Sequence, residues 1–441
     1  PEVALTFSDE EYVRRLVEVE VALARAQGRL GVIPQAAAGE ISSAAATFEV
    51  DMDRLTSGIE TAGIPTIDLI RQFQEHVGVS SAGYLHWGAT TQDVIDTALV
   101  LQIRSALGVI EPAIDELIEG LASLADRHRA TLMAGRTHSQ QAVPIPFGLK
   151  AAGWLAPLFQ HRQRLQELKP RLLVVQLGGA AGTLASYGDR GLALQRELAA
   201  ELGLRAPLMP WHTQRDRLVE LANWLTLVTD GLAKMSQDII LMGQSEIGEV
   251  WESRDRSRGG SSTMPQKSNP ILSELILSAA RTNISLLSSM HHASIQENER
   301  GTHGWQVEWI NFPPMFSLTA ASLKKAVYLS HNLYIDEGRM RRNVEASNGL
   351  MLAEAITFAL SETMDRTEAQ ALVKEACRTA IADNRHLVDV VREKTPAALD
   401  WDRLRDESAY FGSADALIDR VLEQAERVLL ERKQKAEDGG D

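Results

Sequence analysis

Between Leu218 and Met242, eight apolar residues (Leu218, Leu221, Leu225, Val228, Leu232, Met235, Ile239 and Met242) step by three and four without a miss. A seam of that length runs along one face of a helix and belongs to a bundle. A second ladder, Leu107, Ile110, Ile114, Leu117, Leu121 and Leu124, repeats the spacing, and the same periodicity covers residues 147–173, 271–292 and 314–334. Sustained period-two alternation is scarce, so these stretches predict five long helices and an all-α fold with an elongated central bundle. Ser8 and Glu11, in capping-box spacing, open an earlier helix carrying Tyr12, Leu16, Val19 and Leu23.

At 441 residues with 44% hydrophobic content, the chain has material for more than one domain. The expected divisions are an N-terminal helical domain over 1–104, the central long-helix bundle over 105–345 and a smaller helical domain over 346–441. Lys and Arg total 45 against 59 Asp and Glu, a net charge of −14, which disfavours nucleic acid and anionic lipid as partners. An anionic substrate then needs local cations to hold it. The single cysteine, Cys377, excludes an intrachain disulfide and reads as a packed thiol in a reducing compartment. No apolar run reaches about 18 residues, and the first seven residues lack a secretion signal, so the expected address is cytoplasmic, away from membranes. Apolar seams this long are often buried against further copies of a chain, hence an expected homo-oligomer.

Chemistry concentrates in the stretch from Gly260 to Pro270, which holds Ser261, Ser262, Lys267 and Asn269. Gly259 and Gly260 free the backbone, and Pro265 stiffens it just past the hydroxyls. Asn269 fits an N-cap and Pro270 a first helical position. The amides of the helix from Ile271 are expected to point back at the loop and make an anion site with Lys267. The charge-rich run 252–258 ahead of it reads as part of a loop closing over substrate.

Four further polar clusters stand apart from the seams. In His86–Asp93, Thr90 and Thr91 either hold a carboxylate or cap a helix, and His86 is equally ambiguous. In Gly135–Gln141, ahead of a bundle helix, His138 can move a proton or polarise a carboxylate, or be structural. In Trp211–Arg217, Thr213 and Gln214 can reach a ligand, while Arg215 and Asp216 read as an exposed pair. In Gln296–His303, Arg300 can clamp a carboxylate in a bidentate fork. There is no His-Glu-x-x-His or Cys-x-x-Cys, and Gly178, Gly179 and Gly182 fall short of a dinucleotide fingerprint, reading as close backbone packing instead. Neither a metal nor an organic cofactor is expected.

The loop at Gly260–Pro270 resembles the signature of the fumarase/aspartase superfamily, Gly-Ser-Ser-x-x-Pro-x-Lys-x-Asn-Pro, and matches it completely. His86–Asp93 and Gly135–Gln140 resemble two further blocks of that superfamily, in the right order, and the likeness spans nearly the whole chain. It implies a three-domain, all-α homotetramer with active sites shared between subunits. Within the superfamily, the stretches His86–Thr97, Arg162–Leu173 and Trp211–Glu220 are similar to bacterial carboxymuconate cycloisomerases, which close 3-carboxy-cis,cis-muconate to a γ-lactone in protocatechuate catabolism. Those enzymes tend to carry Trp after Gly-Arg-Thr, whereas this chain has His138.

The resemblance implies that Ser261 transfers the proton, that Lys267 and Asn269 stabilise the developing dianion, and that His138 orients or polarises a carboxylate. It further implies that Thr90, Thr91 and Arg300 grip the substrate's other carboxylates, with His86, Gln214 and Ser262 as further substrate-binding residues. The expected partner is a small polycarboxylate, 3-carboxymuconate or a sulfonate analogue. Alternatives are an adenylosuccinate or argininosuccinate-type lyase releasing fumarate, and a non-catalytic structural protein of the same fold.

Overall fold

The computed structural model describes residues 2–253, 259–260, 263–264 and 267–438. Six long helices position the site and are labelled in chain order: α1 (Asp9–Arg29), α2 (Thr91–Arg127), α3 (Phe147–Leu172), α4 (Asp216–Met242), α5 (Ile271–Ala293) and α6 (Gly304–Asn332). All eight rungs of the seam on α4 are at most 3% exposed, and the six rungs of the second ladder on α2 are buried as well. Ser8 caps α1 as expected, its hydroxyl accepting from the Glu11 amide at 3.2 Å. The Glu11 carboxylate turns to Arg14 and Arg15, so only half of the capping box forms among the described residues.

Two helices run further than the periodicity alone predicts. α2 starts at Thr91, sixteen residues ahead of the ladder at Leu107, and carries Pro112 in its interior; α6 starts at Gly304 and continues through Pro313 and Pro314, where residue 314 was the expected start. An interior proline costs roughly 3 kcal/mol, a loss that burial of two large side chains offsets. On α6, Trp305 and Phe312 are buried; on α2, Ile110 and Ile114 are.

The chain folds into two compact units of three segments each: 1–112, 162–228 and 281–320 in the first, and 113–161, 229–280 and 321–441 in the second. Each of α2 to α6 has one end in either unit. The first unit packs Leu16 and Leu23 of α1 with Leu69, Ile95, Leu101, Leu177 and Leu198. In the second, Leu352, Ile356, Val373, Ala376, Leu387 and Val391 make a separate core. Cys377 packs half-buried against that core, and burial pushes its thiol pKa up.

The stretch 132–146, read above partly as a loop, is a hairpin in which β1 (Leu132–Thr137) pairs antiparallel with β2 (Gln140–Pro146). His138 and Ser139 form its two-residue turn, both in the left-handed region at φ 48° and 63°. Positive φ at both turn residues gives a turn whose twist matches the right-handed twist of the paired strands. The register slips between Ala134 and Arg136, at Gly135, where a Cβ would lie 2.8 Å from the Val143 carbonyl oxygen.

Candidate active site

In the first unit, Asp93 organises the start of α2. Its Oδ1 accepts from the Gly178 amide at 2.9 Å and lies 2.7 Å from His212 Nε2, while Oδ2 accepts from the amides of Gly179 at 2.9 Å and Thr90 at 3.1 Å. A buried carboxylate with this many donors is well compensated and fixes the loop that carries Thr90. Gly178 has no room for a side chain, since a Cβ would lie 2.8 Å from both His212 and Pro210, so the expectation of close packing there holds. The paired glycine amides do bind a carboxylate, but an internal one.

Thr90, so held, meets Arg300. The guanidinium donates to Thr90 Oγ1 and, at 3.4 Å, to Gln92 Oε1, and Gln92 in turn donates to the His212 carbonyl at 2.9 Å. Thr91 Oγ1 accepts from Thr66 at 3.0 Å. Arg300 is half-buried and has no carboxylate partner among the described residues. Gln214 is exposed and lines, with Thr213, Asn223 and His291, an open cleft of about 720 Å³. His86 sits at φ 59° with Nδ1 2.6 Å from Glu20 Oε1.

Arg215 corrects the expectation of an exposed pair. It is 1% exposed and held by two carboxylates: Asp96 at 2.7 and 3.0 Å, and Glu308 at 2.8 and 2.5 Å. Burial opposes its charge, but Asp96 and Glu308 outweigh burial and hold its pKa above the ordinary arginine value. Trp305 Nε1 also donates to Asp96 at 2.9 Å. Of the two arginines, Arg215 is paired with carboxylates inside the protein, whereas Arg300 meets only the neutral Thr90 and Gln92 among the described residues.

In the second unit, the two ends of the signature loop are tied together. Gly260 and Ser268 form an antiparallel bridge, and the Asn269 amide donates to the Gly259 carbonyl at 2.8 Å. Gly259 lies at φ 74°, and a Cβ there would fall 1.9 Å from the Asn269 carbonyl oxygen. Gly259→Ala is therefore expected to break this closure and lower kcat/KM at least tenfold, about the effect of 1.4 kcal/mol in the transition state; steady-state kinetics with matched circular dichroism measures it.

The loop's far end meets a carboxylate that the sequence did not single out. Glu252, 5% exposed, accepts from the amides of Leu272 at 3.0 Å and Ser273 at 2.8 Å, and from the Ser273 hydroxyl at 2.8 Å. It caps α5 from nineteen residues before the helix starts, which corrects the expectation that these amides wait for an external anion. Lys267 is exposed, with no side-chain partner among the described residues, and Asn269 is half-buried. Ser261 and Ser262 lie outside the described residues, as does the run 254–258.

His138, at the tip of the β1–β2 turn, is exposed and has no side-chain partner among the described residues. Its neighbour Arg136 forks onto Glu249 at 2.9 and 2.6 Å, and Asn343 donates to the same buried carboxylate at 2.8 Å. Arg136 thus anchors the hairpin, leaving its turn to present His138. Among the described residues, no three His, Cys, Asp or Glu side chains are grouped to hold a metal, and no helix is long and apolar enough to cross a membrane.

A helical fold whose sequence carries this signature defines a lyase of the fumarase type. Residues 3–284 match the lyase family and residues 349–421 the adenylosuccinate lyase C-terminus family, so the chain belongs to the fumarase/aspartase superfamily of lyases. It is 43% identical to 3-carboxy-cis,cis-muconate cycloisomerase of Pseudomonas aeruginosa, over 94% of this chain and 92% of that one. It is also 39% identical to trans-aconitate decarboxylase 1 of Mycosarcoma maydis, over 96% of this chain and 87% of that protein. Among solved structures, 3-carboxy-cis,cis-muconate lactonizing enzyme from Pseudomonas putida superposes with a TM-score of 0.91 at 39% identity, covering 96% of this chain and 97% of that one.

Proposed function

We propose that the chain is a cycloisomerase that closes 3-carboxy-cis,cis-muconate, or a close anionic analogue such as 3-sulfomuconate, to a γ-lactone. The observation that carries this reading is Arg300, a half-buried guanidinium whose hydrogen bonds go to neutral Thr90 and Gln92, in a chain whose signature loop is complete. Such a group binds a planar carboxylate in two parallel hydrogen bonds.

In the proposed reaction a substrate carboxylate oxygen attacks one carbon of the conjugated diene. The C–O bond forms, negative charge collects on the carboxylate next to the adjacent carbon, and that carbon takes a proton. The nucleophile is tethered, so much of the entropic barrier is already removed. What remains is to fold the diene, stabilise the dianion and deliver the proton. Arg300, Thr90 and Thr91 hold the spectator carboxylates, with His86, Gln214 and Ser262 as further contacts. Lys267 and Asn269 stabilise the dianion, Ser261 gives up the proton, and His138 polarises a carboxylate. The working assembly is a cytoplasmic homotetramer with active sites shared between subunits.

Purified protein mixed with 3-carboxymuconate is expected to consume the diene absorbance, and adenylosuccinate and argininosuccinate to yield no fumarate. Fumarate release with an unchanged diene would overturn the proposal in favour of the second reading, a succinyl-substrate lyase. That reading rests on His138, which stands where the related cycloisomerases tend to have Trp.

A further inference from the structure

Glu20 is a titratable group that the proposed chemistry leaves unused. It lies on α1, 2% exposed, with Oε1 2.6 Å from His86 Nδ1 and Oε2 buried without a hydrogen-bond partner among the described residues. A buried carboxylate with a single partner is expensive unless that partner carries a positive charge. His86 is itself held in place from both sides of the chain. It takes the left-handed φ of 59°, and the carbonyl of the next residue, Trp87, accepts from Gln27 at 2.7 Å and from Tyr187 at 3.2 Å. At Gly88 a Cβ would lie 2.6 Å from the Tyr187 ring, so the backbone beyond His86 cannot relax toward that side. With Nδ1 engaged, the ring nitrogen on the far side, Nε2, has no partner among the described residues, and the imidazole keeps 20% of its surface exposed.

We infer that Glu20 is a positioning residue for substrate binding: it holds His86 as a doubly protonated imidazolium whose Nε2–H donates to a carboxylate of the substrate. The inference rests on the proposed polycarboxylate chemistry and adds to it a specific cation and the group that keeps it charged. The charges acting on His86 are Glu20 and, more distantly, Asp93, while Tyr187 stays neutral because burial raises its pKa. Burial disfavours the charged ring, but the two carboxylates outweigh it, so the imidazole pKa stands above 6.5. The sign follows: binding through His86 is complete below pH 6.5 and fades as pH rises through the elevated value. If Glu20 were neutral, a neutral His86 would donate Nδ1–H to it and turn the bare Nε2 lone pair on the anion.

The test compares Glu20→Gln, His86→Asn and the double variant with the full-length wild type. Glu20→Gln is expected to raise KM for 3-carboxymuconate about tenfold, the size of one charge-assisted hydrogen bond, with the loss falling on KM rather than kcat. His86→Asn is expected to raise KM by a similar factor and abolish its rise above neutral pH, and the double variant to be no worse than His86→Asn. NMR titration of the His86 ring is expected to show its pKa falling in Glu20→Gln. An unchanged KM and ring pKa in Glu20→Gln, or losses that add in the double variant, would overturn the inference. Should the wild type leave muconate unconsumed, the functional reading falls by itself. The ring titration and calorimetric binding of tricarballylate to the same variants then decide the role of Glu20: weaker binding with a lowered ring pKa in Glu20→Gln supports it, and unchanged values refute it.

Discussion

Arg215→Met is expected to lower the free energy of unfolding by about 3–5 kcal/mol, the usual consequence of stripping the cation from a buried ion cluster. Asp96 is fully buried and Glu308 is 1% exposed, so without the guanidinium two carboxylates share a buried site. Trp305 Nε1 still donates to Asp96, but among the described residues no positive charge remains in hydrogen-bond contact with either carboxylate. The deficit is expected to shrink as pH falls, because a buried carboxylate without its cation escapes the penalty by protonating, and burial already raises the Glu308 pKa with Arg215 present. Urea melts at several pH values measure both effects, and Asp96→Asn combined with Glu308→Gln is expected to recover much of the loss in the Arg215→Met background. A deficit below about 1 kcal/mol, the scale of an exposed pair, would mean that Arg215 is not the electrostatic centre of this unit.

Ser261→Ala is expected to lower kcat by about a thousandfold while the melting temperature stays near that of the wild type. Proton transfer by a positioned group contributes roughly 10²–10⁴ in rate, and an alanine hydroxyl deletion in a glycine-flanked loop leaves the apolar seams untouched. The prediction sets this residue apart from Gly259, where the backbone itself is at stake: a Cβ there would meet the Asn269 carbonyl oxygen at 1.9 Å. Ser261→Ala retaining more than a tenth of wild-type kcat would remove that hydroxyl from the proton path.

The parts of this molecule that were legible in the sequence are those whose physics is local. The seam from Leu218 to Met242 could be read because a three-four step has one physical outcome, and each rung is buried. The signature from Gly260 to Pro270 could be read because its chemistry is contiguous. What escaped depends on partners far apart in the chain. Arg215 looked like an exposed charge beside Asp216, yet its carboxylates stand 119 and 93 positions away. Glu20 and His86 are 66 positions apart, and neither carries a local sign of the other. Glu252 was hidden in a charge-rich run, where its capping of Leu272 and Ser273, 20 and 21 positions on, left no sequence trace. The hairpin was obscured by Gly135, Pro144 and Pro146, which read as loop punctuation but here mark a register slip and the close of a strand. Pro313 and Pro314 masked the first ten residues of α6 because packing of Trp305 and Phe312 prevails over proline's local preference.

The most direct test of the central claim is proton NMR of the product formed from 3-carboxymuconate in D2O. Intramolecular addition predicts a single γ-lactone with one deuteron on the carbon next to the new C–O bond and every substrate carbon retained. Fumarate, carbon dioxide, or recovered diene in place of that lactone would contradict it.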